Sequence, residues 1–170
     1  MNAKNATKRL TMISLLTAMS LIAGTIESRF PLPFPGMRLG VANIFILTAL
    51  KISGPTDAAA VALMKLALSF LFTGNAAALM CGGCGHLCSL PVTAALYTLF
   101  PDDLSVPAIS TAGAFAFNFG QVAAVAAAMR TPGIFTYLPP LLAAASVTGF
   151  SIGYAAEAIT GRLKSIKKAA

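Results

Sequence analysis

Charge is scarce in this sequence. Only 10% of its 170 residues are Asp, Glu, Lys or Arg, against about 25% in an ordinary soluble domain. Acid is scarcer still: five carboxylates in the whole chain leave few candidates for acid–base chemistry or for a carboxylate cage around a hard metal ion. A Walker A motif is missing, so any ATP hydrolysis must come from other chains. The three cysteines lie in one apolar segment and form no second pair, which excludes the disulfide framework of a small secreted domain. The net charge of +7 comes from basic residues gathered mostly at the two ends. They form no patch beside aromatic side chains, so nucleic acid is not an expected partner.

What the chain has in abundance is apolar length. Mean hydropathy is +0.81, and hydrophobic runs recur at about 10–27, 39–53, 57–74, 76–100, 106–129 and 134–159. Each is near the ~20 residues that a helix needs to cross the hydrocarbon, although the second is short and the fourth long. In lipid every backbone polar group must be satisfied internally, which favours helices over an open sheet. The predicted fold is therefore an all-α membrane protein, a bundle of about six transmembrane helices forming one integral membrane domain over 1–170. The short basic segments at about 1–9 and 161–170 are its tails. The first run is longer than the core of a signal peptide, and further spans follow it.

An even number of spans puts both ends on one side. Placing them in the cytoplasm puts Lys4, Lys8, Arg9, Lys51, Arg162, Lys164, Lys167 and Lys168 inside, and Arg29, Arg38 and Arg130 outside. That excess predicts cytoplasmic termini in a multi-pass protein of the cell membrane.

Polar residues inside the spans are the candidates for function. Lys65 lies in the middle of the third span, with Ser69 and Thr73 following on its helical face. A cation at that depth points either to an internal ion pair, with Glu27 as a partner, or to a ligand. Asn118 and Gln121 lie three apart in the fifth span, on one face with Thr111. Such amides bond across helices or line a pocket. In the sixth span Ser146, Gly149 and Gly153 form a small-residue face suited to packing. Glu157 is expected at its inner interface.

Between the first two spans stands "RFPLPFPGMRLGVAN", residues 29–43. Proline holds φ near −65° and lacks the backbone donor, so Pro31, Pro33 and Pro35 predict a stiff, extended connection. Arg38 then stands at the predicted start of the second helix. Its forked donors suit a carboxylate or phosphate, and the nearby helix N-terminus favours an anion as well. Snorkelling to headgroups is the plainer use. The functional reading is an outward-facing pocket roofed by this loop, with Arg38 and Lys65 making its interior positive and Asn43 beside it.

The fourth span carries "CGGCGHLC", with Cys81, Cys84, His86 and Cys88 within eight residues. Thiolates and imidazole suit zinc, copper or an iron–sulfur centre. On a regular helix, however, the cysteines form one stripe and His86 points away. Close helix packing with a kink at Pro91, and His86 as a polar pocket residue, fits better. No cofactor is expected.

The stretch Pro35 to Asn43 reads P-G-x-basic-L-G-x-A-N. With the proline-rich first loop, Lys65 in span three and the N-x-G-Q element at Asn118 to Gln121, it resembles the heptaprenyl diphosphate synthase component I family, also called the Gx transporter family. The likeness extends over roughly residues 10 to 160. That family is similar to the substrate-binding S components of energy-coupling factor (ECF) transporters. It departs at Phe117, where the family often has His, and in the extra cysteines of span four. The resemblance implies a six-helix membrane subunit that captures a small solute outside, around Arg38, Asn43, Lys65, Asn118 and Gln121. Implied partners are a coupling transmembrane subunit and two ATPase subunits, and the implied docking face is the small-xxx-small pair Ser14 and Ala18. The synthase name meets a chemical objection. Asp102-Asp103 is followed by Leu-Ser-Val with no third aspartate, so the chain lacks the aspartate-rich magnesium motif of prenyl diphosphate synthases. The expectation is a subunit that is not itself an enzyme. A membrane partner of an isoprenoid enzyme is the alternative, as is a redox or metal protein built on Cys81–Cys88.

Overall fold

The computed structural model describes residues 3–27, 40–100 and 103–169. They form six α-helices and no strand: α1 (Ala3–Glu27), α2 (Asn43–Ser53), α3 (Pro55–Thr73), α4 (Ala76–Leu99), α5 (Val106–Met129) and α6 (Leu138–Ala169), with a 3-10 segment at Pro132–Tyr137 before the last. Five stretches are long and apolar enough to cross a membrane. The exception is α2, with 11 residues. At 1.5 Å per residue it is roughly 16 Å long, about half the hydrocarbon thickness. The protein is a multi-pass helical membrane bundle of five full spans and one half-length helix.

Local chemistry sets the helix ends. The second helix starts at Asn43, four residues after the start of the apolar run, because Gly40 has φ +77°, a left-handed conformation that L side chains avoid. At its other end Gly54 has φ +94° and ψ −178°, and its N–H donates to the Leu50 carbonyl. Pro55 follows as the first residue of α3, a position where a missing N–H costs nothing. A single residue therefore turns the chain from α2 into α3. Gly74 ends α3 in the left-handed conformation, and Asn75 caps α4 by accepting from the Ala78 N–H at 2.9 Å. Ser105 caps α5 in the same way. The fourth helix continues unbroken through Pro91.

Side-chain contacts settle the direction of the helices. Arg9 at the start of α1 grips Asp57 in the first turn of α3, with Nε donating to Oδ1 at 2.8 Å and to Oδ2 at 3.0 Å. Lys51 at the end of α2 meets Glu157 of α6 at 3.4 Å. The Tyr97 hydroxyl near the end of α4 donates to the Lys51 carbonyl at 3.5 Å. One end of the bundle thus collects these groups, near the start of α1 and along the second half of α6. Further along, α1 meets the chain just ahead of α2, at Gly24 beside Ala42 and Lys65 and at Glu27 on the Gly40 N–H.

The short helix is the axis of the core. Ile46, Leu47, Thr48, Ala49 and Leu50 are all buried, and a helix buried on every side needs no amphipathic stripe. Around it pack Leu16 of α1, Ala58, Val61 and Ala62 of α3, and Ile152 and Ala156 of α6. Large apolar side chains such as Leu15, Ile22, Leu71, Phe72, Leu87 and Phe150 face outward, as they should where the solvent is lipid.

Candidate functional site

Along α1 the residues Thr17, Ser20, Gly24 and Glu27 recur at helical spacing and form one polar face. Ser20 Oγ donates to the Ala42 carbonyl at 2.9 Å. The buried Glu27 carboxylate accepts from the Gly40 N–H at 2.5 Å, so it satisfies a backbone donor just ahead of α2 and places negative charge where the helix dipole favours it. These two bonds tie the entry to α2 onto α1. Lys65 approaches the same face from α3: its Cε lies 3.7 Å from where a Cβ would stand on Gly24. Gly24 and Glu27 are one turn apart, so the lysine stem and the carboxylate belong to one seam between α1, α2 and α3. Thr17 Oγ1, lower on that face, is buried with no hydrogen-bond partner among the described residues.

On the other side of α2 lies a cavity of about 40 Å³, room for roughly three water molecules. Its polar lining is Asn43 of α2, His86, Ser89 and Thr93 of α4, and Ser110 of α5. The rest is apolar, from α2, Leu90 and Ile152 among others. Positions 86, 89 and 93 form one stripe of α4, and positions 110, 113 or 114, 117 and 121 one stripe of α5. Phe117 packs edge-on against His86, with ring centroids 5.0 Å apart. It separates the cavity stripe from Gln121 one turn further on. Glycines allow this closeness: a Cβ on Gly85 would lie 2.6 Å from the Phe117 ring, and one on Gly120 would lie 2.5 Å from the Cys84 carbonyl oxygen.

The expected site residues are thus divided rather than gathered. Asn43 lines the cavity, and its Nδ2 lies 3.3 Å from where a Cβ would stand on Gly40. Lys65 belongs to the α1 seam and does not line the cavity. Gln121 is buried and Asn118 half-buried, and neither lines the cavity. The prolines of the first loop and Arg38 lie outside the described residues. The expectation that Arg38 opens the second helix fails, since that helix begins beyond Gly40. Thr73 does not point inward with Lys65: it is exposed and donates to the Ser69 carbonyl at 2.7 Å, because α3 ends there. The Thr111 hydroxyl donates to the Pro107 carbonyl at 2.8 Å, and its backbone lies against Gly149. Gly149 and Gly153 pack on α5 as their size suggests, whereas Ser146 is exposed. Ser14 and Ala18 both lie on the exposed face of α1.

The cysteine cluster does not converge. The Cys84 backbone and the Cys88 sulfur lie against α5 at Gly120, while His86 lines the cavity. Among the described residues no group of three or more His, Cys, Asp or Glu is placed to hold a metal. Of the Asp102-Asp103 pair, Asp103 is exposed and Asp102 lies outside the described residues. Ser89, Thr93 and Ser110 escaped attention in the sequence because hydroxyls in apolar helices are common. Their shared stripes with His86 and Phe117 are the signal that would have singled them out.

Fold and cavity together define a polytopic helical membrane protein with a small, mostly apolar interior cavity that carries a few polar side chains. The chain belongs to the family described as heptaprenyl diphosphate synthase component I, whose profile matches residues 16–159. No curated protein and no solved structure matches it.

Proposed function

We propose that this chain is the solute-capturing subunit of an uptake system of the cell membrane, similar to the S components of ECF transporters, for a small solute carrying an anionic group. The observation that carries this reading is the half-length helix α2, which starts inside the bundle between a charged seam with α1 and α3 and a polar-lined cavity with α4 and α5. Discontinuous helices that begin at membrane depth commonly present their N-terminal ends to a substrate. In this reading Arg38 closes the site from the connection ahead of Gly40, and Lys65 and Asn43 hold the solute on either side of the α2 start. Asn118 and Gln121 extend the contact along α5. Both chain ends lie in the cytoplasm. Ser14 and Ala18, exposed among apolar neighbours, form the docking face for a coupling transmembrane subunit driven by ATPase subunits. This chain catalyses no reaction of its own.

Uptake by cells carrying the protein, compared with Arg38→Ala and Lys65→Met, tests the reading, together with native mass spectrometry of the gently extracted chain. A co-purified small molecule is expected, with uptake falling about tenfold or more in each variant, as for loss of one charge-assisted contact. Unchanged uptake in both variants would refute the positive pocket.

A second reading follows from the family's description as a synthase component: a non-catalytic membrane partner of an enzyme making heptaprenyl diphosphate. Here the expected result is co-purification with a soluble prenyl-transferring enzyme, whose product length or rate changes when the chain is removed.

A further inference from the structure

The geometry points to the cavity behind α2 as a binding site for an uncharged hydrogen-bonding group, such as a hydroxyl, a carboxamide or a ring nitrogen, rather than for an anion. Among the described residues its polar lining is Asn43, His86, Ser89, Thr93 and Ser110, with no Lys, Arg, Asp or Glu. The other lining surface is hydrocarbon, with Leu50, Leu90 and Ile152 among it. An ion placed there would lose its hydration without meeting an opposite charge from the lining, a cost that buried charges avoid by pairing. A neutral polar group meets no such penalty, because Asn, His, Ser and Thr each offer both donors and acceptors. Thr93 lines the cavity with its hydroxyl proton already committed to the Ser89 carbonyl at 2.9 Å, which leaves that oxygen able only to accept.

The charged side chains described near α2 are directed elsewhere. Arg9 and Asp57 hold each other, Lys51 meets Glu157, and Glu27 takes the Gly40 N–H. Lys65 lies against Gly24 of α1 and does not line the cavity. The start of α2 therefore separates a charged compartment from a neutral one, and a solute that used both would be two-ended, with its anionic group toward Lys65 and its neutral group beside His86. This assignment rests on the solute-capturing role for the identity of the natural guest, but the site's preference for neutral groups stands apart from it. At about 40 Å³ the cavity accepts a terminal group, not a whole cofactor-sized molecule.

His86 is the sole histidine of the chain, so protein carrying ¹⁵N-histidine reports on this site alone. In lipid nanodiscs at constant pH, acetamide and acetate are titrated over the same concentration range, since the two probes have nearly the same shape and differ in charge. Acetamide is expected to shift the ring ¹⁵N signals saturably and acetate to leave them in place. The double variant Ser89→Ala/Ser110→Ala is expected to weaken acetamide by about tenfold, as for the loss of two neutral hydrogen bonds. A saturable shift with acetate equal to or greater than that with acetamide overturns the proposal, and so does the absence of a shift with either probe. Acetamide binding without any uptake or co-purified solute would support the neutral site and sink the carrier role. Uptake that depends on Lys65, with acetate preferred at His86, would do the reverse.

Discussion

Where α5 crosses α6, backbone meets backbone. A Cβ on Gly149 would stand 2.8 Å from the Cα of Thr111, and one on Gly153 would collide with the Cα of Pro107. The α4–α5 crossing at Gly120 and Cys84 is just as close. Where α1 meets α2 and α3, the ties are polar side chains: Ser20 on the Ala42 carbonyl, Glu27 on the Gly40 N–H, Arg9 on Asp57. Small residues at a crossing give contact over a long line of atoms, and no side chain can rotate away to release it. A hydrogen bond from a side chain to a carbonyl can be exchanged for another within a single rotamer change. The last three helices therefore make a fixed wall, and α2, bracketed by glycines at φ +77° and +94°, is the element most able to shift against it.

The largest effect should come from the glycine-packed half. Gly153→Val is expected to destabilise the bundle by about 3 kcal/mol or more, the upper end for overpacking against a backbone that cannot yield, seen as a lower thermal midpoint in detergent and loss of yield. Gly161→Ala, on the same helix with nothing within 4 Å of its Cβ, should instead gain about 0.5–1 kcal/mol from helix propensity. If both substitutions have the same effect, the fixed-wall picture is wrong.

Next in size is the polar half. Asp57 is 2% exposed while Arg9 is largely open to solvent. Asp57→Asn should lower the unfolding midpoint by about 3–5 °C, because Arg9 loses its charged partner while the amide stays buried. The double variant with Arg9→Gln should recover part of that loss, and full additivity would mean the pair does not hold α1 to α3.

Gly54→Ala isolates the hinge. With nothing within 4 Å of the added atom, its cost is backbone strain alone, about 1–3 kcal/mol. Strain relieved when α2 moves should ease its opening, which hydrogen exchange along Ile44–Leu50 would record as reduced protection. A full-cost clash or an unchanged exchange pattern would deny α2 its hinge.

The smallest effect belongs to Thr17→Val. The hydroxyl has no partner among the described residues, so a methyl of the same shape is expected to be neutral or to stabilise by up to about 1 kcal/mol. Destabilisation measured by the same melt would show that the hydroxyl is held.

Much of the fold was legible in composition and run length. Five of the six apolar runs became full spans at nearly the expected residues, because hydrophobic length answers directly to bilayer thickness. The short second run announced itself by its length, yet not its place: nothing in "NIFILTALKIS" says that it is buried on all sides rather than facing lipid, since both environments select the same side chains. The site was less legible. Lys65 and Asn43 stood out as polar residues in or beside a span, but only Asn43 lines the cavity, while Lys65 lies against Gly24 of α1. His86, Ser89, Thr93 and Ser110 meet only because α4 and α5 cross at glycines that bring their stripes together.

The residues alone determined that the chain lives in lipid as helices, because scarce charge and long apolar runs leave the backbone no other way to satisfy its polar groups there. Which polar side chains share a compartment was decided by the packing. In a membrane the helices are sorted less by greasiness than by how closely their backbones can approach, and that is a property of pairs of helices rather than of any one stretch of sequence.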